Sequence, residues 1–192
     1  GYEVKAALRH DDVKALPTAV TQYNIGELSS NTIWREAMEG VDVIVHLAGR
    51  VHVMNETESN PVAAYRRLNV EATRHLAVEA VRRGIKRIIL LSSIKVNGDS
   101  TCGRPFTADD VPAPKDPYGS TKRDAEIELE LATKGTKTEF VVFRAPLVYG
   151  PGVKGNFRLL IEAIASRRFL PLGAVIGNRR SFVYIGNLCS AI

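Results

Sequence analysis

The sequence predicts an α/β fold built on a doubly wound parallel sheet, and three observations predict it. Short apolar strands alternate with helix-length amphipathic segments along the whole chain. The run Asp42 to Leu47 reads, after its first residue, as a continuous apolar strand broken only by His46, the pattern of a strand buried on both faces of a parallel sheet. The polar residues that stand out (Arg9, Glu27, His46 to Gly49, Ser92, Ser93 and the loop after Arg144) follow the strands, and that edge is where such sheets bind ligands.

Each element has its own signal. Tyr2 to Arg9 reads as a short strand, and Ala19 to Tyr23 as another that ends at Asn24, Gly26 and Glu27. Ile33 to Glu39 reads as a helix stopped by Gly40. After the strand Asp42 to Leu47, the stretch Pro61 to Arg83 carries Leu68, Ala72, Leu76 and Ala80 at helical spacing, with Gly84 as its stop. Lys86 to Ser93 is the next strand. A proline-rich loop leads into a helix from Tyr118 to Lys134, and Glu139 to Arg144 returns as a strand before the loop of Pro146, Gly150, Pro151 and Gly152. No repeat, low-complexity tract or linker interrupts this order.

With 192 residues, 45% of them apolar and 24% charged, the chain can bury one substantial core. Its net charge of +5 is scattered among acids, which argues against a nucleic-acid partner and suits a phosphate-bearing small molecule. Cys102 and Cys189 lie in no metal or disulfide pattern, so neither is expected, and a reducing, cytoplasmic setting follows. No apolar run is long enough to span a bilayer, so no membrane partner is expected.

The chemistry starts at Tyr118 to Lys122, which reads Y-x-x-x-K, with Ser93 closing the strand upstream. On a helix, positions i and i+4 share a face, so the Lys122 ammonium would sit beside the Tyr118 phenol and lower its pKa. A hydroxyl, a phenol and an ammonium form a proton relay for oxidising or reducing a carbinol, with a nicotinamide as hydride partner. Ala48 and Gly49 are small where backbone would approach such a cofactor. Plainer roles stand beside these: Ser92 as a turn residue, His46 as a structural strand-end histidine, and Lys95 as a surface cation.

A dinucleotide-binding fold normally opens with a strand and a G-x-G-x-x-G turn, and this chain has neither. Its first strand reads as the second strand of such a unit. The expectation is therefore a Rossmann-like sheet lacking its first βα unit and the C-terminal part of its substrate domain. Residues 1–150 would form a partial dinucleotide-binding domain and residues 151–192 the start of a substrate-binding region.

Together, Val45 to Gly49 (an H-x-A-[AG] turn), Asn69-Val70 opening a helix, Leu91 to Ser93, Tyr118 to Lys122, the run Arg144 to Gly152, and Arg180 followed by Phe182 to Ile185 resemble one family. It is the extended short-chain dehydrogenase/reductases, in their nucleotide-sugar epimerase, dehydratase and reductase branch. The resemblance implies that Tyr118 is the acid/base, that Lys122 holds the nicotinamide ribose and that Ser93 binds the reacting oxygen. Around the cofactor it implies Leu47, Ala48, Gly49 and Asn69, with Glu27 and Leu28 at the adenine and Pro146 and Val148 at the nicotinamide. On the substrate side it implies Ser93, Tyr118, Asn156 and Arg180, the last gripping the diphosphate; Lys95 joins them from its position.

Departures from the family pattern carry information. Ile94 and Lys95 stand where 4,6-dehydratases carry an Asp-Glu pair, which argues against dehydration. Arg9 stands where NAD-preferring relatives carry an acid, so the cofactor is NAD or NADP. Asn187 replaces a common aspartate. The resemblance implies a UDP-hexose 4-epimerase acting on a nucleotide-sugar substrate. An NADPH-dependent 4-keto-sugar-nucleotide reductase and a non-catalytic dinucleotide sensor are the alternatives. It further implies a homodimer formed through the Pro61 to Arg83 and Tyr118 to Lys134 helices.

Overall fold

Parallel ladders organise the chain in the computed structural model, which describes residues 1–10, 16–51, 58–101, 103–153, 155–166 and 177–192. Cys102 and the Pro171 to Gly173 stretch lie outside the described residues. The chain divides into two units, Gly1–Arg144 and Ala145–Ile192.

In the first unit, strand β1 (Lys5–Leu8) pairs in parallel with β2 (Thr21–Asn24). Strand β3 (Val43–His46) pairs in parallel with β4 (Arg87–Ser93), His46 lying opposite Leu90. On its other side β4 meets β5 (Glu139–Ala145). The two strands start together: the Glu139 N–H donates to the Lys86 carbonyl at 2.8 Å, and the Thr138 hydroxyl to the Ile85 carbonyl at 2.8 Å. Parallel strands separated by helices bear out the α/β, Rossmann-like expectation. Among the described residues, the β1–β2 ladder and the β3–β4–β5 ladder share no hydrogen-bonded pair of strands.

The long helical stretch begins at Pro61, whose fixed φ suits the first turn, while the Asn60 side chain caps the Ala63 N–H at 3.1 Å. It runs as α1 (Pro61–Tyr65), a wider π-helical turn (Arg66–Glu71) and α2 (Ala72–Arg82). Its end is a Schellman closure: Gly84, at φ 70°, lets the Ile85 N–H return to the Ala80 carbonyl at 3.0 Å. Helix α3 (Pro117–Thr133) repeats the opening device, with Asp116 capping the Gly119 N–H at 2.7 Å and Pro117 next. Ala72, Leu76, Ala77 and Ala80 of α2 and Ala125 and Leu129 of α3 join Ile85, Ile88 and Leu90 in one core. The alanines let the two helix backbones approach closely, and their burial supplies the main driving force for this packing.

Three expectations change. The segment Ile33 to Glu39 forms turns instead of a regular helix. One helical bond, from the Met38 N–H to the Trp34 carbonyl at 2.9 Å, turns both side chains into the core and leaves Ile33 exposed. Nor is β3 buried on both faces: Ile44 packs toward the helices, while Val43, Val45 and Leu47 are exposed. Successive strand residues point to opposite faces, and the helical core covers one of them. Asn69 does not open a helix but lies inside the π turn.

In the second unit, β6 (Leu147–Tyr149) pairs in parallel with β7 (Phe182–Tyr184), accompanied by α4 (Gly155–Ala165) and α5 (Ile185–Ala191). Tyr149, Phe157 and Phe182 hold it together through tilted and edge ring contacts at 5.1 to 6.4 Å between centroids. Among the described residues, no helix is long and apolar enough to cross a membrane.

His46 closes β3 with its ring buried and Nε2 hydrogen-bonded to the Thr73 hydroxyl at 2.9 Å. Burial, then the charge of Lys122, pushes its pKa down to about 4. The unfolded chain therefore binds the extra proton first as pH falls. Stability is full above the ordinary histidine pKa of about 6.5 and is lost progressively down to about 4, by an amount on the order of 3 kcal/mol. Urea unfolding between pH 7 and 4.5 is expected to show this decline, and His46→Gln, which keeps a polar group for Thr73, is expected to flatten it. Equal slopes for the two proteins would refute the assignment.

Candidate active site

The site is built where α3 begins against the end of β4. Ser93 is the last residue of β4, and its hydroxyl accepts the Lys95 N–H at 3.3 Å, opening a 3₁₀ turn over Ile94–Val96. Gly119, in the first turn of α3, lies so close to that turn that a Cβ there would stand 2.6 Å from the Lys95 carbonyl oxygen. A bare α-carbon lets the helix start directly on the strand end. That approach brings the Tyr118 phenol next to Ser93, whose side chain acts to lower the phenol's pKa. Behind Tyr118 stands Tyr65, its ring centroid 6.4 Å away. The Tyr65 hydroxyl donates to the Val51 carbonyl at 3.0 Å, and the Arg50 guanidinium lies over the ring at 5.4 Å.

One turn further on, the Lys122 side chain is only 5% exposed. Its ammonium lies beside Gly49, where a Cβ would be 3.8 Å from Nζ and 3.1 Å from Asn69 Oδ1. Among the described residues it makes no hydrogen bond. Burial pushes its pKa down to about 8, against an opposing pull from Glu126. Asn69 fixes the Gly49 turn: its Oδ1 accepts the Arg50 N–H at 2.7 Å, and its Nδ2 donates to the Arg50 carbonyl at 3.0 Å and the Thr121 hydroxyl at 3.1 Å. The π turn places this amide, and such turns recur at functional sites.

The phenol does not follow the sequence expectation. Burial is the largest influence on Tyr118 and holds its pKa above the usual value. The Ser93 side chain opposes this, while Asp116 and Tyr65 add to it. The Lys122 charge is felt instead at His46.

Behind Tyr118 and Lys122 lies a buried polar cluster. The Ser92 hydroxyl donates to a Glu126 carboxylate oxygen. The Arg144 guanidinium forks onto the same carboxylate, Nη2 reaching Oε2 at 2.8 Å and Nε both oxygens at 3.2 Å, and Arg144 Nη1 reaches Asn97 Oδ1 at 3.4 Å.

The remaining expected residues divide by position. Leu47, Ala48 and Gly49 form an exposed run after β3. Arg9, after β1, pairs with Glu27, after β2, at 3.3 Å. Leu28 is corrected: its side chain is buried in the core with Trp34 and Met38, so it presents no side-chain surface to an adenine. The Lys95 ammonium is held by Asp99 at 2.6 Å and Asp116 at 3.3 Å. In the second unit, Pro146 precedes β6, Val148 pairs with Val183 within it, and Arg180 is exposed just before β7. Asn156 lies in α4, and its side chain is outside the described residues. Sequence reading missed Tyr65, Thr121 and Glu126. Tyr65 stands four residues before Asn69 and Glu126 four after Lys122, a spacing that puts each on its partner's helix face.

The residues present fit a nicotinamide dinucleotide: a bare-backbone turn at Gly49 beside a buried ammonium that donates to nothing described, one helical turn from a phenol that lies next to a serine hydroxyl. Comparison with known proteins agrees. The UDP-glucose 4-epimerase of Vibrio cholerae is 39% identical over 197 residues, covering 100% of this chain and 58% of that protein. The N-acetyl-alpha-D-glucosaminyl-diphospho-ditrans,octacis-undecaprenol 4-epimerase of Escherichia coli O157:H7 is 30% identical over 88% of this chain and 49% of its own length. The chain thus spans roughly half of these relatives. The structure of MoeE5 in complex with UDP-glucuronic acid and NAD superposes with a TM-score of 0.77 at 27% identity, covering 100% of this chain and 62% of that one. The family model for the NAD dependent epimerase/dehydratase family matches residues 1–192, and the chain belongs to that family.

Proposed function

We propose that the protein is an NAD-dependent nucleotide-sugar epimerase that inverts C4 of a UDP-hexose, with Ser93, Tyr118 and Lys122 as its proton relay. The observation that carries this reading is the Lys122 ammonium, buried beside the bare Gly49 backbone and one helical turn from Tyr118, whose phenol lies next to Ser93. The sugar-nucleotide chemistry of the relatives supports the substrate class.

Bound NAD would supply the acceptance and return of the hydride at the sugar carbon. Leu47, Ala48, Gly49, Asn69 and Lys122 would hold its nicotinamide half, with Pro146 and Val148, and Arg9 and Glu27 would border its adenosine. As the phenolate, Tyr118 Oη takes the C4 hydroxyl proton, becoming the neutral phenol, and returns it to the same oxygen at the end of the cycle, while the Ser93 hydroxyl holds the reacting oxygen. Because burial disfavours that phenolate, the Lys122 cation on the same helix face is the group available to stabilise it. Lys95, Asn156 and Arg180 are assigned to the sugar nucleotide. The Arg9–Glu27 ion pair favours NAD over NADP, since Glu27 engages the guanidinium that a 2′-phosphate would require.

Exposed Val62 and Val78 on the Pro61–Arg82 stretch and Ile127 and Leu131 on α3 support a homodimer through those helices. The exposed free thiol of Cys189 suits a reducing, cytoplasmic compartment.

Tyr118→Phe in the whole protein is expected to lower kcat on a UDP-hexose by roughly 10²- to 10⁴-fold while leaving the protein folded. Undiminished turnover would remove the relay, and a wild type that binds dinucleotide without turnover would be a sensor. Mass analysis of the nucleotide released on denaturing whole protein purified without added cofactor is expected to find NAD, as a closed redox cycle requires. An empty site that consumes NADPH with a keto-sugar nucleotide would establish the reductase instead. Sedimentation velocity is expected to give twice the protomer mass.

A further inference from the structure

We infer that Glu126 is a positioning residue of this site: its carboxylate sets the register between β4 and α3 that holds Ser93 against Tyr118, and it is the counter-charge of Lys122. The inference rests on the reading of Ser93, Tyr118 and Lys122 as the relay.

Tyr118, Lys122 and Glu126 follow one another at four-residue spacing and form a single stripe along α3. At the far end of the stripe Glu126 is tied to Ser92, the residue before Ser93, so the helix is fastened to the strand just behind the hydroxyl beside Tyr118. The Arg144 fork adds β5, and through Asn97 the segment following the 3₁₀ turn that Ser93 caps. With a side chain 9% exposed, this carboxylate accepts bonds from two directions on both oxygens. A glutamine has a single acceptor oxygen and cannot reproduce them. A buried ion pair adds little net stability over apolar packing, so what Glu126 contributes is direction and charge.

The charges around Lys122 make the second role specific. From β3 comes His46, held neutral; from α3, Tyr118 and Glu126; from the loop after β3, Arg50, stacked on Tyr65; from β5, Arg144, engaged by Glu126. Among the described residues, Glu126 is the carboxylate whose charge acts on Lys122, and it favours the protonated form against burial. Without it, Lys122 releases its proton at lower pH.

The test uses the whole protein and two readouts. NMR of isotope-labelled lysine side chains follows the Lys122 titration without cofactor or substrate, and steady-state kinetics gives kcat and KM across pH. Glu126→Gln is expected to lower the Lys122 midpoint by about one pH unit. It is also expected to cut kcat roughly 10- to 100-fold with little change in KM, and Glu126→Asp to recover part of both. Ser92→Ala removes only the strand tie and is expected to lower kcat several-fold without moving the titration. An unmoved Lys122 midpoint in Glu126→Gln would overturn the charge role, and wild-type kcat in Ser92→Ala would overturn the register role. Should Glu126→Gln fail to fold, Glu126→Asp supplies the titration and Ser92→Ala the rate. A wild type without turnover on UDP-sugars would sink the epimerase reading, and the lysine titration would still decide the charge role.

Discussion

The contact between the first turn of α3 and the strand end of β4 is the constraint on which the rest of the site depends. A helix backbone rests on a strand-end carbonyl with no side chain between them, because Gly119 faces the Lys95 oxygen. Asp116 and Pro117 fix where that helix begins, so the phenol one residue later meets the Ser93 hydroxyl without further adjustment. The alanine-rich seam between α2 and α3 then holds the helix against the sheet along its length. The packing of the core and the positions of Ser93 and Tyr118 are consequences of a single arrangement.

Burial shapes the electrostatics that follow. It lowers the proton affinity of His46 and Lys122 and raises that of Tyr118, each in the direction that penalises the charged form. The site at rest therefore holds a neutral imidazole and a neutral phenol around an ammonium, and the phenol must give up its own proton before it can take one from a hydroxyl. Asn69 holds the bare-backbone turn through three hydrogen bonds, so the open space next to Lys122 is shaped by an amide and not by a titrating group.

Much of this was legible in the sequence. Strand and helix order came from apolar periodicity, the start of the long helix from Pro61, and the candidate site from the spacing of Tyr118 and Lys122 behind Ser93. What was not legible depends on tertiary context. The Ile33 to Glu39 periodicity is satisfied by a single turn because Trp34 and Met38 alone reach the core. Leu28, next to the exposed Glu27, is drawn inward by that same cluster. The phenol's shift follows from burial, which a local pair of residues does not reveal, and the Ser92–Glu126–Arg144 cluster joins three elements far apart in the chain.

The π turn at Arg66–Glu71 makes the long helix a two-phase object. Each residue of a helix advances its face by about 100°, so the extra residue held in that turn rotates Tyr65 and its ring contacts relative to the Leu76 and Ala80 stripe in the core. Losing one residue anywhere in the turn would restore a regular helix and force a choice between the two faces. Chain length in this short stretch is thus itself a functional parameter, independent of which side chains occupy it.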